Sequence, residues 1–166
     1  IEDIKIIILF FVGNTIGNIS DAHRVLVNLR ESMKDDDYLL VGLAYYNSKN
    51  IPLNSYAKPN ILNFLWSFPE KLGIKRTDAK IFWRYNGRLR QLECQLEFLK
   101  DWSQNFGVNL INFSKEQRIR LAISRRFTKD DIFELFAGAG FKIELLTHDK
   151  DNALVLVRPH TWEKKI

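Results

Sequence analysis

One segment near the start of the chain limits the possible folds more than any other: an apolar run followed at once by a small polar turn. The run covers residues 4–12 (IKIIILFFV) and the turn covers residues 13–18 (GNTIGN), before a helix start near Ser20. A nearly continuous apolar run is typical of a strand buried on both faces of a parallel sheet. In open α/β sheets, ligands bind where such strands end. The segment therefore predicts a buried strand with a ligand-binding turn at its carboxyl end.

The elements that follow complete a strand–helix–strand unit. Apolar residues recur at helical spacing between residues 22 and 33, and an aspartate-rich turn leads into a second apolar run, residues 38–43 (YLLVGL). Two apolar strands joined by a helix predict a parallel pair with a right-handed crossover. This unit is the start of an α/β body.

The middle of the chain changes to strand-like alternation. After a helical segment that begins at Pro59, two alternating segments flank Asn86-Gly87. This dipeptide favours a type I′ hairpin turn, which would place Trp83 opposite Arg90. A third alternating segment, residues 119–124, completes a small antiparallel sheet.

The body resumes near the end of the chain. Thr128 and Asp131 have the spacing of a capping box, and the helix that they begin ends at Gly140. Two strands with a short connection follow, which predicts a terminal antiparallel hairpin. We therefore expect an α/β body formed by residues 1–58 and 128–160, with residues 59–127 as an inserted subdomain.

The composition argues against several classes of protein. The single cysteine, Cys94, excludes an internal disulfide and a cysteine-cluster metal site, and the 3 histidines lack metal-ligand spacing. The apolar run is too short to span a membrane, which needs about 20 residues. The net charge is +5, and a solvated strand face explains the clustered basic residues better than a nucleic-acid surface does. We expect a cytoplasmic protein without membrane or nucleic-acid partners. The clustered residues are Arg84, Arg88, Arg90, Arg118, Arg120, Arg125, Arg126 and Lys129.

In its order of elements the chain resembles the histidine-specific methyltransferase family of ergothioneine biosynthesis, which belongs to the class I S-adenosylmethionine-dependent methyltransferases. The resemblance rests on residues 11–18 (FVGNTIGN), 39–43 (LLVGL), 119–127 (IRLAISRRF) and 137–141 (AGAGF). It implies the C-terminal half of a class I methyltransferase (Rossmann-like) sheet with a terminal antiparallel hairpin, plus a small inserted antiparallel β subdomain. In this interpretation residues 1–58 and 128–160 are a partial methyltransferase core, and residues 59–127 are a subdomain on the substrate side. It also implies S-adenosylmethionine as cofactor and an amine of an amino acid or similar small molecule as methyl acceptor.

The same resemblance implies a set of site residues. Asn18 would hold the amine or carboxylate of the acceptor, Tyr56 would contact the acceptor, and Ser124 would lie near its side chain. Gly13 and Thr15 would lie where the cofactor passes the end of the strand. No catalytic residue is expected, because in-line methyl transfer depends on positioning rather than on a covalent intermediate.

Three departures from the family pattern affect these expectations. Ala122 stands where the family has an acidic residue that would recognise an imidazole N–H, so the acceptor need not be histidine. Ala44 stands where the family tends to have an acidic residue at the end of the second strand. The glycine-rich loop and the ribose-binding acid belong to earlier strands and do not occur in this sequence. We therefore expect an incomplete cofactor site, in a chain that is part of a longer enzyme or is completed by a partner.

A second interpretation remains open. The chain could be a non-catalytic interaction module that keeps the half-fold, forms a homodimer through an exposed sheet edge or binds an acidic partner. In that case the turn at Asn18 is structural, Tyr56 is a packed loop aromatic and Ser124 is a hydroxyl on a sheet face.

Overall fold

The structure is a computed structural model that describes residues 7–160. The chain divides into two compact units, residues 1–50 with 124–166 and residues 51–123. The predicted boundaries, after residues 58 and 127, assign two short segments differently: residues 51–58 belong to the second unit and residues 124–127 to the first. The roles given to the two predicted domains stay predictions.

The bounds of the elements are as follows. Along the described chain the strands are β1 (Ile8–Phe11), β2 (Tyr38–Ala44), β3 (Ala79–Asn86), β4 (Gln91–Phe98), β5 (Trp102–Phe106), β6 (Asn109–Phe113), β7 (Arg118–Arg125), β8 (Phe141–His148) and β9 (Asn152–Pro159). The helices are α1 (Ala22–Ser32), α2 (Leu53–Tyr56), α3 (Pro59–Lys71) and α4 (Lys129–Gly138), with a 3₁₀ turn at Ile16–Asn18.

A four-stranded mixed sheet in the order β1-β2-β9-β8 organises the first unit. β1 and β2 are parallel, whereas β9 runs antiparallel to both of its neighbours. The last strand of the chain is therefore inserted between β2 and β8. The predicted parallel pair, the terminal antiparallel hairpin and the α/β fold class are confirmed, and this strand order is the one expected at the end of a class I methyltransferase sheet.

The core of the first unit lies on one face of this sheet. Buried residues of β2, including Leu39 and Val41, pack with α1 and α4. Helix α4 begins with the predicted capping box, because Thr128 and Asp131 bind each other's backbone N–H. Helix α1 begins one residue later than expected, since Asp21 rather than Ser20 accepts the capping hydrogen bond.

The prediction of a first strand buried on both faces is wrong. Leu9 and Phe11 pack against the core, but Ile8 and Phe10 are 52% and 66% exposed. The reason is that β1 is an edge strand and that α1 and α4 pack on the opposite face of the sheet. Residues 4–6 of the predicted strand lie outside the described residues.

Apolar residues lie next to one another across the sheet on the face that carries Phe10. Phe10 pairs with Leu40, Leu40 with Leu156, and Leu156 with Leu145 on the outer strand. Leu145 is 55% exposed. The first unit therefore has an apolar row across its second face.

The second unit is built on the sheet β3-β4-β7 and a separate hairpin of β5 and β6. β3 and β4 pair antiparallel, as expected, and Trp66, Leu96 and Phe98 contribute to the core of this unit. The strand β7 begins in the second unit and ends in the first. The small inserted antiparallel sheet is thus confirmed, whereas the β5–β6 hairpin has no counterpart in the sequence prediction.

The predicted Asn86-Gly87 turn is wrong in detail. Asn86 pairs with Gln91, so the loop has more residues than a type I′ turn, and its positive φ is at Arg90 (49°) rather than at Gly87. The Asn86 side chain accepts a hydrogen bond from the Leu89 N–H, which stabilises the longer loop. As a result Trp83 lies opposite Cys94 and not opposite Arg90.

None of the helices in residues 7–160 is long and apolar enough to cross a membrane.

Candidate functional site

The candidate site is built on the turn that follows β1. Gly13 and Asn14 both have positive φ, at 80° and 58°. Glycine adopts this conformation without a steric penalty, and asparagine is one of the few other residues that tolerate it. The Thr15 hydroxyl donates a hydrogen bond to the Val12 carbonyl oxygen at 2.9 Å, which closes the turn. The chain then enters the 3₁₀ turn that ends at Asn18.

The side chain of Asn14 joins three chain segments. Its Oδ1 accepts a hydrogen bond from the N–H of Ala44 at 2.8 Å, at the end of β2. Its Nδ2 donates to Ser124 Oγ at 3.2 Å and to the Arg125 carbonyl oxygen at 3.5 Å, at the end of β7. One amide thus holds the carboxyl ends of β1, β2 and β7 together.

Gly17 is required by this arrangement. A Cβ at this position would overlap the side chain of Asn14 and lie 2.6 Å from the carbonyl oxygen of Arg125. Gly17 is also buried. The glycine therefore allows the 3₁₀ turn to approach the end of β7.

The structure brings four of the five predicted site residues into the first unit. Gly13, Thr15 and Asn18 are exposed, and no atom lies within 4 Å of the position of a Cβ on Gly13. The Asn18 side chain makes no hydrogen bond to any other residue in the described part of the chain. Ser124 is 2% exposed and is bound to Asn14.

The fifth residue, Tyr56, belongs to the second unit. Its ring packs on that of Trp83, with 4.8 Å between the ring centroids. This contact is the one expected of a packed loop aromatic, so contact of Tyr56 with an acceptor stays a prediction.

Two arginines follow Ser124 and differ in their surroundings. Arg125 lies 3.6 Å from a carboxylate oxygen of Asp131, and its guanidinium carbon lies 5.0 Å from the centre of the Phe127 ring. Arg126 is 6% exposed, and its NH1 donates to the Tyr45 carbonyl oxygen at 3.4 Å. The expected solvated face is therefore wrong for Arg126.

Sequence reasoning missed both Asn14 and Arg126 as candidates. For Asn14 a signal was present, because an asparagine after glycine at the end of a strand is a residue suited to a left-handed turn. For Arg126 the sequence shows only one more basic residue in a basic stretch. Its burial is visible only in the structure.

The second unit contains a buried carboxylate, Glu93, which is 3% exposed. It accepts hydrogen bonds from Arg84 (2.9 Å), Asn86 (2.9 Å) and Gln91 (2.8 Å). Burial would raise the pKa of Glu93, but hydrogen bonds from Gln91, Asn86 and Arg84 outweigh it and lower the pKa to about 2. Its acceptor capacity is largely used, so Glu93 is a structural anion.

Cys94 is not an available nucleophile, and no cluster of metal-ligating side chains is found in the described part of the chain. Cys94 is fully buried, and burial raises the pKa of its thiol to about 12, which keeps it protonated at neutral pH. No group of three His, Cys, Asp or Glu side chains within residues 7–160 could hold a metal ion.

With this strand order and a polar turn at the carboxyl end of β1, the chain has the α/β fold of class I methyltransferases. It belongs to the family of histidine-specific, S-adenosylmethionine-dependent methyltransferases, whose family model matches residues 3–159. Membership of this family implies S-adenosylmethionine as the cofactor. No curated protein matches the chain in sequence.

Three solved structures have a similar course of the chain; two are described as methyltransferases, and the third carries only a protein designation. A methyltransferase of Clostridium acetobutylicum is 9% identical (TM-score 0.48), and the match covers 96% of this chain and 61% of that one. The PH0226 protein of Pyrococcus horikoshii is 12% identical (TM-score 0.44), with 92% and 54% covered. The CcbJ methyltransferase of Streptomyces caelestis is 9% identical (TM-score 0.42), with 92% and 60% covered. The chain thus spans 54–61% of the length of these proteins.

Proposed function

We propose that the chain is the C-terminal, acceptor-binding portion of a methyltransferase of the ergothioneine-biosynthesis type, acting on an amine of an amino acid or similar small molecule. The observation that carries the proposal is the turn from Gly13 to Asn18. It lies at the carboxyl end of a parallel strand, is held in place by Asn14, and presents an exposed asparagine side chain.

In this proposal each residue of the turn has a separate role. The Asn18 amide can donate to a carboxylate or accept from an amine, so that it orients an amino-acid acceptor. The backbone at Gly13 has open space where a side chain would start, which suits close approach of the cofactor, and Thr15 is exposed beside it. Ser124 contributes through its hydrogen bond to Asn14.

S-adenosylmethionine supplies the methyl group when it is bound. The residues of this chain have to hold the acceptor with its neutral lone pair in line with that group, and such positioning accounts for much of the rate acceleration. The glycine-rich loop for the cofactor does not occur in this sequence. We therefore propose that residues outside it complete the cofactor site.

The test compares this chain with the full product of the gene that encodes it. Calorimetric titration with S-adenosylhomocysteine should show one-to-one binding to the full product and binding at least about tenfold weaker to this chain alone. A full product that binds no S-adenosylhomocysteine would contradict the proposal.

The role of Asn18 needs a separate variant. In a methyl-transfer assay of the full product on a panel of amino acids, Asn18→Ala should lower kcat/KM for the accepted substrate by about tenfold or more. The matched control is Asn60→Ala, because Asn60 is also exposed but lies in the second unit. Equal activity of the two variants would remove Asn18 from the site.

A second candidate function is an interaction module, which the apolar row across the first unit favours. Phe10 is 66% exposed on an edge strand, where a second copy could pair. Light scattering after size exclusion should then show a dimer of this chain that Phe10→Lys returns to a monomer. A monomer at all concentrations tested would reject self-association through this edge.

A further inference from the structure

Arg126 is a buried cation with few partners. It is 6% exposed, and its Nε is buried without a hydrogen bond. Its NH1 makes a long hydrogen bond of 3.4 Å to the Tyr45 carbonyl oxygen. A guanidinium has five N–H donors, and within residues 7–160 no carboxylate forms an ion pair with this one. Arg126 therefore has fewer hydrogen bonds than a buried guanidinium normally makes, and no ion pair with a described carboxylate.

The neighbouring arginine, Arg125, also has a buried Nε without a hydrogen bond, but a carboxylate lies close to its guanidinium. Arg125 is 3.6 Å from Asp131 and stacks over Phe127. Asp131 is the acidic partner of Arg125, so the charge of Arg126 is left without compensation.

The position of Arg126 is that of the candidate site. Tyr45, whose carbonyl oxygen it contacts, directly follows Ala44, and the Ala44 N–H is bound by Asn14. Arg126 also comes two residues after Ser124, the other partner of Asn14. The guanidinium thus lies at the carboxyl end of β2, whose last residue, Ala44, is hydrogen-bonded to the turn that follows β1.

Burying an unpaired charge is costly, and such groups are normally paired, bound to a ligand or displaced to the surface. A guanidinium matches a carboxylate through two parallel hydrogen bonds. We propose that Arg126 binds the carboxylate group of the methyl acceptor. The proposal rests on the proposed function, and it narrows the acceptor to compounds that carry a carboxylate.

The first experiment needs no ligand. Replacing an uncompensated buried cation by an apolar side chain of similar length should stabilise the free chain, so Arg126→Met should raise Tm by about 2–4 °C. Arg88→Met is the matched control, because Arg88 is exposed, and its Tm should not change. A fall in Tm for Arg126→Met would mean that Arg126 is a structural cation, and would overturn the proposal.

The second experiment identifies the anion. Thermal unfolding of this chain is followed with a panel of amino acids, each compared with its carboxamide, and separately with inorganic phosphate. At least one amino acid should raise Tm while its carboxamide does not, and Arg126→Met should abolish this shift while Arg88→Met keeps it. Arg126→Lys, which retains the charge but not the paired donors, should weaken the apparent affinity about tenfold.

Two results would overturn the proposal in this second experiment. One is stabilisation by phosphate alone, and the other is equal stabilisation by an amino acid and its carboxamide. Neither result bears on binding of S-adenosylhomocysteine by the full gene product, so failure of the carboxylate proposal is distinguishable from failure of the methyltransferase proposal.

Discussion

The Oδ1 atom of Asn14 accepts a hydrogen bond from the backbone N–H of Ala44 at 2.8 Å. This bond fixes the turn after β1 to the end of the neighbouring parallel strand. The exposed residues of this short polar turn therefore project from a segment that is attached to the main sheet.

Asn14→Ala should lower the free energy of unfolding by about 2 kcal/mol. The variant loses three hydrogen bonds, to the ends of β2 and β7, and places alanine at a φ of 58°. Urea unfolding measures the change. Asn18→Ala is the control, because its exposed side chain should contribute less than about 0.5 kcal/mol. Equal losses in the two variants would contradict the described role of Asn14.

Gly17→Ala should destabilise the chain by about 1–3 kcal/mol, because the new Cβ would overlap the Asn14 side chain and the Arg125 carbonyl oxygen. Gly87→Ala provides the comparison. A Cβ on Gly87 would meet Tyr85 at 3.8 Å, an ordinary contact, and its φ is not positive. Unfolding of the two variants at the same urea concentration would contradict the close approach of the 3₁₀ turn to the end of β7.

Glu93 should make the stability of the chain depend on acid pH. Its pKa is about 2 in the folded chain against an ordinary value of 4.5, so the carboxylate stabilises the fold above about pH 4.5. This stabilisation is lost as the pH falls toward about 2. Unfolding free energies measured over this range should fall less steeply for Glu93→Gln than for the unchanged chain.

Glu134→Gln serves as the control for this pH dependence, since Glu134 is an exposed residue of α4. Its variant should keep the steep fall of the unchanged chain. Parallel pH profiles for the unchanged chain and Glu93→Gln would show that Glu93 does not carry the effect.

Cys94 should not react with thiol reagents in the folded chain. Burial raises its thiol pKa to about 12, so almost no thiolate forms at pH 8, and the sulfur is also inaccessible. Ellman's reagent should label it only after urea unfolds the chain, with one thiol per molecule. Complete labelling within the dead time in the absence of urea would contradict this assignment.

The regular elements at the two ends of the chain could be predicted because their signals are local. The apolar run of β2 and the helical spacing of α1 lie within short segments, and the capping box of α4 involves only Thr128 and Asp131. A short connection between β8 and β9 was enough to predict their antiparallel pairing. Each of these features depends on residues that are close in sequence.

The features that were missed depend on distant residues. The exposure of Phe10 follows from its place on an edge strand and on the face of the sheet opposite α1 and α4, which an apolar run cannot reveal. The loop at Asn86 follows the register of β3 and β4 instead of the local preference of Asn-Gly. The β5–β6 hairpin contains polar residues such as Ser103 and Gln104 and lacks a clear alternation of apolar and polar residues. Its two strands were not predicted for that reason.

The candidate site could be predicted only in outline. The turn after β1 was expected as a ligand site from its small residues, and the structure places Gly13, Thr15 and Asn18 there as exposed residues. The bond that holds the turn connects Asn14 with Ala44 and Ser124, which are far apart in sequence. Hydrogen bonds between residues so far apart in sequence can be identified only once the folded structure brings the three strand ends together.

The insertion of β9 between β2 and β8 has a consequence for how this chain is made. The ribosome releases the amino-terminal segments first, so β1 and β2 emerge well before the strand that completes their sheet. β8 joins the sheet through β9 alone, and therefore cannot dock earlier. A nascent chain thus keeps an unpaired edge on β2 until residues 152–159 are free. A premature stop codon that removes this last strand would leave the edge of β2 open, and we expect such a product to aggregate or to be degraded.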